Sequence, residues 1–367
     1  KIFRACSNCT SQFTFCGYRL DFQWPNARFS WYQSLMTNFK IFNSLSRDFS
    51  NPKTSLLCII VFLPVSLGSL LTCAHGVNSS EAGSSLPGFN FVVAGDFGCG
   101  DEAKKTVDAM ANMKPELVLA LGDLAYTKNP MCWFDMIKPL ENDSKFKISL
   151  GEHDVSHGIA DYDQYLKHFN LTKPYYSFDY KNIHFLAMAT AKNTLIPYTV
   201  NSTQYQFVKN DLKSAHENKS INWIIVYTFR PFYSSNTTHP GQEEMRDAYH
   251  PLFDEYGVDL VLQAHNHNYQ RTYPISYNVT TPSSPIITNR NTENYTNIEN
   301  GQIFITLGTG GAEFYNFTGH APFIAKQFLL HGFLNVDVAN NGSKLWITFY
   351  ENTGVARDHI TISKTKG

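Results

Sequence analysis

Four short segments carry the residues most able to do chemistry. Asp96 stands in Gly95-Asp-Phe-Gly98, and Asp123 in Gly122-Asp-Leu-Ala-Tyr126. Glu152, His153 and Asp154 follow Gly151, and His265 and His267 stand in Ala264-His-Asn-His-Asn-Tyr-Gln-Arg271. Carboxylates, imidazoles and a phenol are the oxygen and nitrogen donors that hard and borderline metal ions take. Bound metals of that kind act as Lewis acids and activate water. One Gly-Asp pair is common and says little. Two of them, an acidic-His-Asp triplet and a His-x-His, in that order, make a joint signal for a metal centre.

Each segment closes an apolar run of strand length. The runs are FNFVVAG, ELVLALG, KFKISLG and VDLVLQA, with NIHFLAMA and NWIIVYTF between the third and the last. Runs of this length bounded by turn residues read as buried strands. Helical patterns lie between them, at Glu102–Met113, Thr203–His216 and Glu243–Tyr256. The last carries Met245, Tyr249, Leu252, Phe253 and Tyr256 on one stripe. Strands alternating with helices predict an α/β fold, whose ligand sites lie beyond the carboxyl ends of strands. The tail differs: QIFITLGTGG, HGFLNVDVA and KLWITFYE are successive strands, and the polar, Asn- and Thr-rich residues 277–300 read as a long loop.

On these motifs the chain resembles the calcineurin-like metallophosphoesterases, and within them the purple acid phosphatases, over about residues 89–360. The family order is GDxG, GDxxY, GNH[DE], VxxH and GHxH; this chain has GDFG, GDLAY, GEHD, VYTF and AHNH. The resemblance implies a four-layer sandwich, two mixed β-sheets flanked by helices. It implies hydrolysis of phosphate monoesters at acidic pH by metal-bound hydroxide. The first site would hold iron through Asp96, Asp123, Tyr126 and His267, all of which match. The second would hold zinc, manganese, iron or magnesium through Asp123, Glu152 and His265. There the chain departs twice: Glu152 stands for Asn, and Phe229 for the histidine of VxxH. Phe229 offers no donor, so a weakly held or absent second metal is expected. His153 would contact phosphate and protonate the leaving group, with His239 as a second catalytic histidine and Arg230 as a candidate phosphate contact. Two other readings stay open: phosphodiester or nucleotide pyrophosphate hydrolysis on the same fold, and a catalytically weak phosphate- or partner-binding protein.

Composition sets outer limits. Among 367 residues 43% are hydrophobic, with 28 Phe and 20 Tyr, enough for a large core. A net charge of −1 without a basic stripe argues against a nucleic-acid partner, leaving a small phosphorylated substrate as the implied one. Of seven cysteines only Cys99 and Cys132 follow residue 75, so no disulfide scaffold is expected, and Cys99 reads as a small buried residue. Cys6 and Cys9 lack a second zinc-site half. Residues 55–71, SLLCIIVFLPVSLGSLL, preceded by Lys40, Arg47 and Lys53 and followed by Thr72, Cys73 and Ala74, have the parts of a secretory signal or membrane anchor. Met36 would give that signal an ordinary start, which makes residues 1–35 an upstream extension. The expected organisation is a disordered or non-native extension (1–54), a signal or anchor (55–75), a linker (76–88) and a catalytic domain (89–365). Ten Asn-x-Ser/Thr sequons, from Asn78 to Asn341, also point to a secreted or cell-surface protein.

Overall fold

The structure is a computed structural model. It describes residues 87–156, 159–192, 196–297, 301–339 and 341–365, with the backbone of 11–15 and 18–22. The expected signal or anchor at 55–75, and the linker up to residue 86, lie outside the described residues. The chain divides into two compact units, Lys1–Gly83 and Ser84–Gly367. In the first, β1 (Ser11–Phe15) pairs antiparallel with β2 (Tyr18–Phe22). This hairpin lies within the N-terminal extension. Phe13 pairs with Leu20 and Phe15 with Tyr18 in register, an alternation of aromatic and apolar residues that favours strands.

The second unit is built on two seven-stranded mixed sheets. One begins at an edge with β5 (Lys145–Ile148), followed inward by β4 (Leu117–Ala120) and β3 (Pro87–Ala94), all paired in parallel. It continues antiparallel through β16 (Gly332–Ala339), β17 (Lys344–Glu351) and β18 (Ala356–Ser363). The other runs parallel from β7 (Ile183–Met188) through β8 (Trp223–Thr228) and β9 (Leu260–Gln263) to β14 (Ile303–Leu307). Antiparallel β6 (Tyr176–Tyr180) closes one edge, and β10 (Tyr269–Thr272) with β15 (Ile324–Phe328) the other. Strands β4, β7, β8 and β9 are buried along their whole length, which is why their sequences are continuous apolar runs rather than alternating ones.

The sheets face each other through aromatic side chains. Phe91 of β3 meets Phe185 of β7 edge to face at 5.3 Å, and Tyr269 of β10 meets Phe349 of β17 at 4.6 Å. Outside the first sheet pack α1 (Asp101–Asn112) and α2 (Met131–Asp143), and outside the second α4 (Thr203–Glu217) and α5 (Glu243–Tyr256). This is the four-layer α/β sandwich expected. The apolar stripe of α5 is buried throughout.

Three features differ from the sequence expectation. Helix α2 was not foreseen: Pro139 lies inside it, in a segment where a proline reads as a breaker. Helix α3 (Ile159–His168) was also missed. The segment read as a loop, 277–300, contains β12 (Ile286–Ile287), paired with β11 (Ile275–Ser276), and β13 (Asn294–Thr296), paired with β18. These short edges rest on backbone pairing, and in β13 only Tyr295 is buried, so no apolar pattern announces them.

Candidate metal centre

The loops after β3, β4, β5, β8 and β9 meet at one end of the sandwich. Asp96, Asp123, Tyr126 and His265 all have left-handed backbones, with φ of 56°, 48°, 56° and 69°. For residues with a Cβ this costs on the order of 1–3 kcal/mol each. Such strain persists only where the surroundings hold it, and it turns these side chains back across the strand ends. Two glycines allow the loops to close on one another. A Cβ on Gly122, itself at φ 97°, would lie 2.6 Å from the Gly151 nitrogen, and one on Gly151 would lie 2.1 Å from Asp123 Oδ1. Asp154, buried behind them, ties the two loops by accepting from Leu124 N and Gly151 N, each at 2.8 Å. Burial prevails over these bonds and raises its carboxyl to about 6.

Three donor atoms form a tight triangle. Tyr126 Oη is 3.1 Å from Asp96 Oδ1 and 2.9 Å from His267 Nε2, and His267 Nε2 is 3.3 Å from Asp96 Oδ1. Ligands about 2.0–2.2 Å from one ion stand about 3 Å apart when at right angles. His267 Nδ1 donates to the Glu313 carbonyl at 2.6 Å, which leaves Nε2 as the acceptor facing the triangle. Asp123 stands beside it, with Oδ1 accepting from His153 N at 2.8 Å. Among the described residues no three of His, Cys, Asp and Glu gather into a cage by themselves; the group closes only when the Tyr126 phenol is counted.

Electrostatics favour a cation here. Asp96 is fully buried and Asp123 nearly so, and no Lys or Arg pairs with either among the described residues. Burial, then Asp96, pushes the Asp123 carboxyl well up, and burial with both aspartates pushes the Tyr126 phenol far above its usual range. Burial opposes the charged His267 imidazole, but Asp96 outweighs it and raises its proton affinity. Buried carboxylates in this number are stable only when paired or bound to metal. The donor set of Asp96, Asp123, Tyr126 and His267 therefore fits the iron implied by the resemblance.

The second position does not fit a metal. Phe229 is fully buried, its ring 4.7 Å from that of His265. Glu152, expected to lend an oxygen, has Oε1 taken by Arg230, through Nε at 2.8 Å and through Nη2. Arg230, expected at the substrate, is itself buried, with Nη1 on Gln242 Oε1. His265 donates its backbone N–H to Asp96 Oδ2 at 2.9 Å, and its ring stacks on His239 at 3.8 Å. Burial, then His239 and Arg230, holds the His265 imidazole far below its usual value.

His153 is exposed, its ring 4.5 Å from that of Tyr126. His239 is half-buried, and burial lowers its proton affinity. Asn266 was not foreseen as a site residue. Its side chain accepts from His239 N at 3.0 Å and donates to His239 O at 2.7 Å, clamping that loop to the strand end. Its place between two candidate ligands was the only signal. Cys99 needs correction: it is exposed and disulfide-bonded to Cys132. The bond ties the loop carrying Asp96 to the start of α2, because that loop runs out to the rim rather than back into the core. His250 is buried between Tyr233 Oη and Gln302 Oε1, both at 2.7 Å.

A family model for calcineurin-like phosphoesterases matches residues 89–269. Purple acid phosphatase 21 of Arabidopsis thaliana is 27% identical over 241 residues, which are 60% of this chain and 49% of that protein. Among solved structures, purple acid phosphatase PPD1 from yellow lupin (Lupinus luteus) seeds superposes with a TM-score of 0.64 at 21% identity, covering 76% of this chain and 55% of that one. GAP50, the anchor in the inner membrane complex of Plasmodium, superposes with a TM-score of 0.59 at 16% identity, covering 77% and 90%. The two structural likenesses bear on the fold alone. The chain spans about half the length of the curated relatives it matches.

Proposed function

Residues 89–269 of this chain are a calcineurin-like phosphoesterase domain of purple acid phosphatase-like type, and from that premise we propose that the chain hydrolyses phosphate monoesters with a metal held by Asp96, Asp123, Tyr126 and His267. The observation that carries the reading is the donor triangle of Asp96, Tyr126 and His267 beside the unpaired, buried Asp123. A metal bound there supplies Lewis acidity toward the phosphoryl group and a water nucleophile at low pH. The chain's own residues supply the rest. Asp154 and the two glycines hold the donor loops together. His153 reaches solvent beside Tyr126 and donates a proton to the leaving oxygen. His239, kept toward its neutral form by burial, lines the same mouth under the Asn266 clamp and acts as acceptor.

One observation favours a weaker reading: Phe229 and the Glu152–Arg230 pair suit a catalytically weak phosphate-binding protein. Turnover separates the two. Iron-loaded full-length protein is expected to hydrolyse a generic aryl phosphate monoester faster than the corresponding diester. His153→Ala should slow it by about 100-fold or more, the ordinary size of a general-acid effect. No monoester turnover above that of free iron would leave only the binding reading.

A location outside the cytoplasm belongs to the same proposal. The sequon residues Asn142, Asn170, Asn201, Asn218, Asn236, Asn294, Asn316 and Asn341 are exposed, and Asn278 is half-buried. The Cys99–Cys132 bond suits an oxidising compartment. Protein from its native host should lose mass on enzymatic removal of N-glycans; an unchanged mass would count against export.

A further inference from the structure

We infer that this chain is a one-metal phosphoesterase, in which Phe229, Arg230 and Glu152 form a closed plug where a second metal would otherwise bind. The inference rests on the proposed metal role of Asp96, Asp123, Tyr126 and His267.

Each part of the plug removes something a second ion needs. Phe229 removes space and a donor. Its ring is wholly buried, rests beside His265, and leaves no room above Gly122, where an added Cβ would lie 2.8 Å from Phe229 Cδ2. Glu152 stands where it could compensate with an oxygen. Its Oε1 instead accepts two N–H bonds from the Arg230 guanidinium. Arg230 adds the decisive element, a fixed positive charge. A proton competing for a metal ligand can leave; a guanidinium stays charged at every accessible pH. Arg230 is also held from a second side by Gln242, just before α5, and only 3% of its side chain is exposed. An incoming cation would have to share the Glu152 carboxylate with Arg230 and sit beside a buried guanidinium, which is strongly unfavourable. His265, the remaining imidazole, has one face covered by His239.

The two departures from the family pattern therefore belong together. Phe229 in place of histidine empties the site of its nitrogen donor. Glu152 in place of asparagine supplies not a metal ligand but the counter-charge that keeps Arg230 in place. On this account Arg230 is an internal cation of the fold rather than a contact to substrate.

Metal counting tests this without reference to turnover. Full-length protein is loaded with iron(III), offered excess zinc(II) or manganese(II), desalted and analysed for metal per chain. One equivalent is expected, with the spin signal of an isolated ferric ion. Phe229→His alone should still retain one equivalent, because Arg230 and Glu152 stay in place. Phe229→His/Glu152→Asn/Arg230→Gln removes the plug and supplies donors, and should retain close to two; its thermal melt reports whether it is folded. Two tight equivalents in the wild type, or a second gained by Phe229→His alone, would overturn the plug while leaving the proposed function standing. No retained metal in the wild type would sink the proposed function, and the plug with it.

Discussion

Asp96→Asn is expected to lower affinity for the catalytic metal by more than about 100-fold and to abolish ester hydrolysis, while the apoprotein folds as well as the wild type or better. Changes to partners one step removed from a metal cost about 10–100-fold, and Asp96 is proposed as a direct donor, its Oδ1 being one corner of the triangle. The fold should survive because Asn keeps the shape and the acceptor for His265 N, which now binds Asp96 Oδ2. It should gain because Asp96 is one of the charges that, after burial itself, push Asp123 up. With Asp96 neutral, Asp123 ionises more readily in the folded state and opposes folding less near neutral pH. Thermal melts with and without iron read both effects. The wild type should gain stability on loading, since the metal binds the native state alone, and the variant should not. Equal metal-dependent stabilisation in the two proteins would remove Asp96 from the site.

Asp358→Ala should be the most damaging change away from the centre, costing about 3–5 kcal/mol as is usual when one partner of a buried ion pair is removed. Asp358 belongs to β18 of one sheet. Arg271 belongs to β10 of the other, with Nε 2.6 Å from Oδ2 and Nη2 3.1 Å from Oδ1. Only 2% of the Arg271 side chain and 9% of that of Asp358 is exposed. Tyr269 Oη donates to the same Oδ2 at 2.8 Å. The pair thus joins the two sheets at a point with little water, and Arg271 would be left charged and buried. Arg271→Met/Asp358→Leu, which removes both charges, should cost much less. Urea unfolding of the two variants decides it. Equal costs would mean that packing, and not the stranded charge, sets the loss.

Much of this was legible in the sequence because it is local. The buried strands are short apolar runs, the stripe of α5 has helical spacing, and Asp96, Asp123, Glu152 and His265 each follow a strand end within a residue or a few. What stayed hidden joins distant positions. Glu152 and Arg230 are 78 residues apart, and Asn266 holds a loop 27 residues before it. Nothing in either segment marks the partner. Glu152 read as a metal oxygen because it stands where the family pattern has a ligand Asn; only packing showed the guanidinium against it. Cys99 read as buried because a free cysteine in a candidate metal loop usually is, yet the loop turns outward within two residues of the buried Phe97. Helix α2 was masked by Pro139, although its Trp133, Phe134, Ile137 and Leu140 do share a helical face.

The central claim is that Tyr126 is a ligand to a catalytic iron, and the visible spectrum of iron-loaded protein tests it most directly. Tyr126 Oη lies within hydrogen-bonding distance of both Asp96 and His267, and Tyr126→Phe removes that single oxygen from a half-buried ring. A phenolate on ferric iron absorbs visible light, so the wild type should be coloured, and Tyr126→Phe should lose the band with unchanged circular dichroism. A coloured, folded Tyr126→Phe protein, or an iron-loaded wild type without the band, would contradict the account.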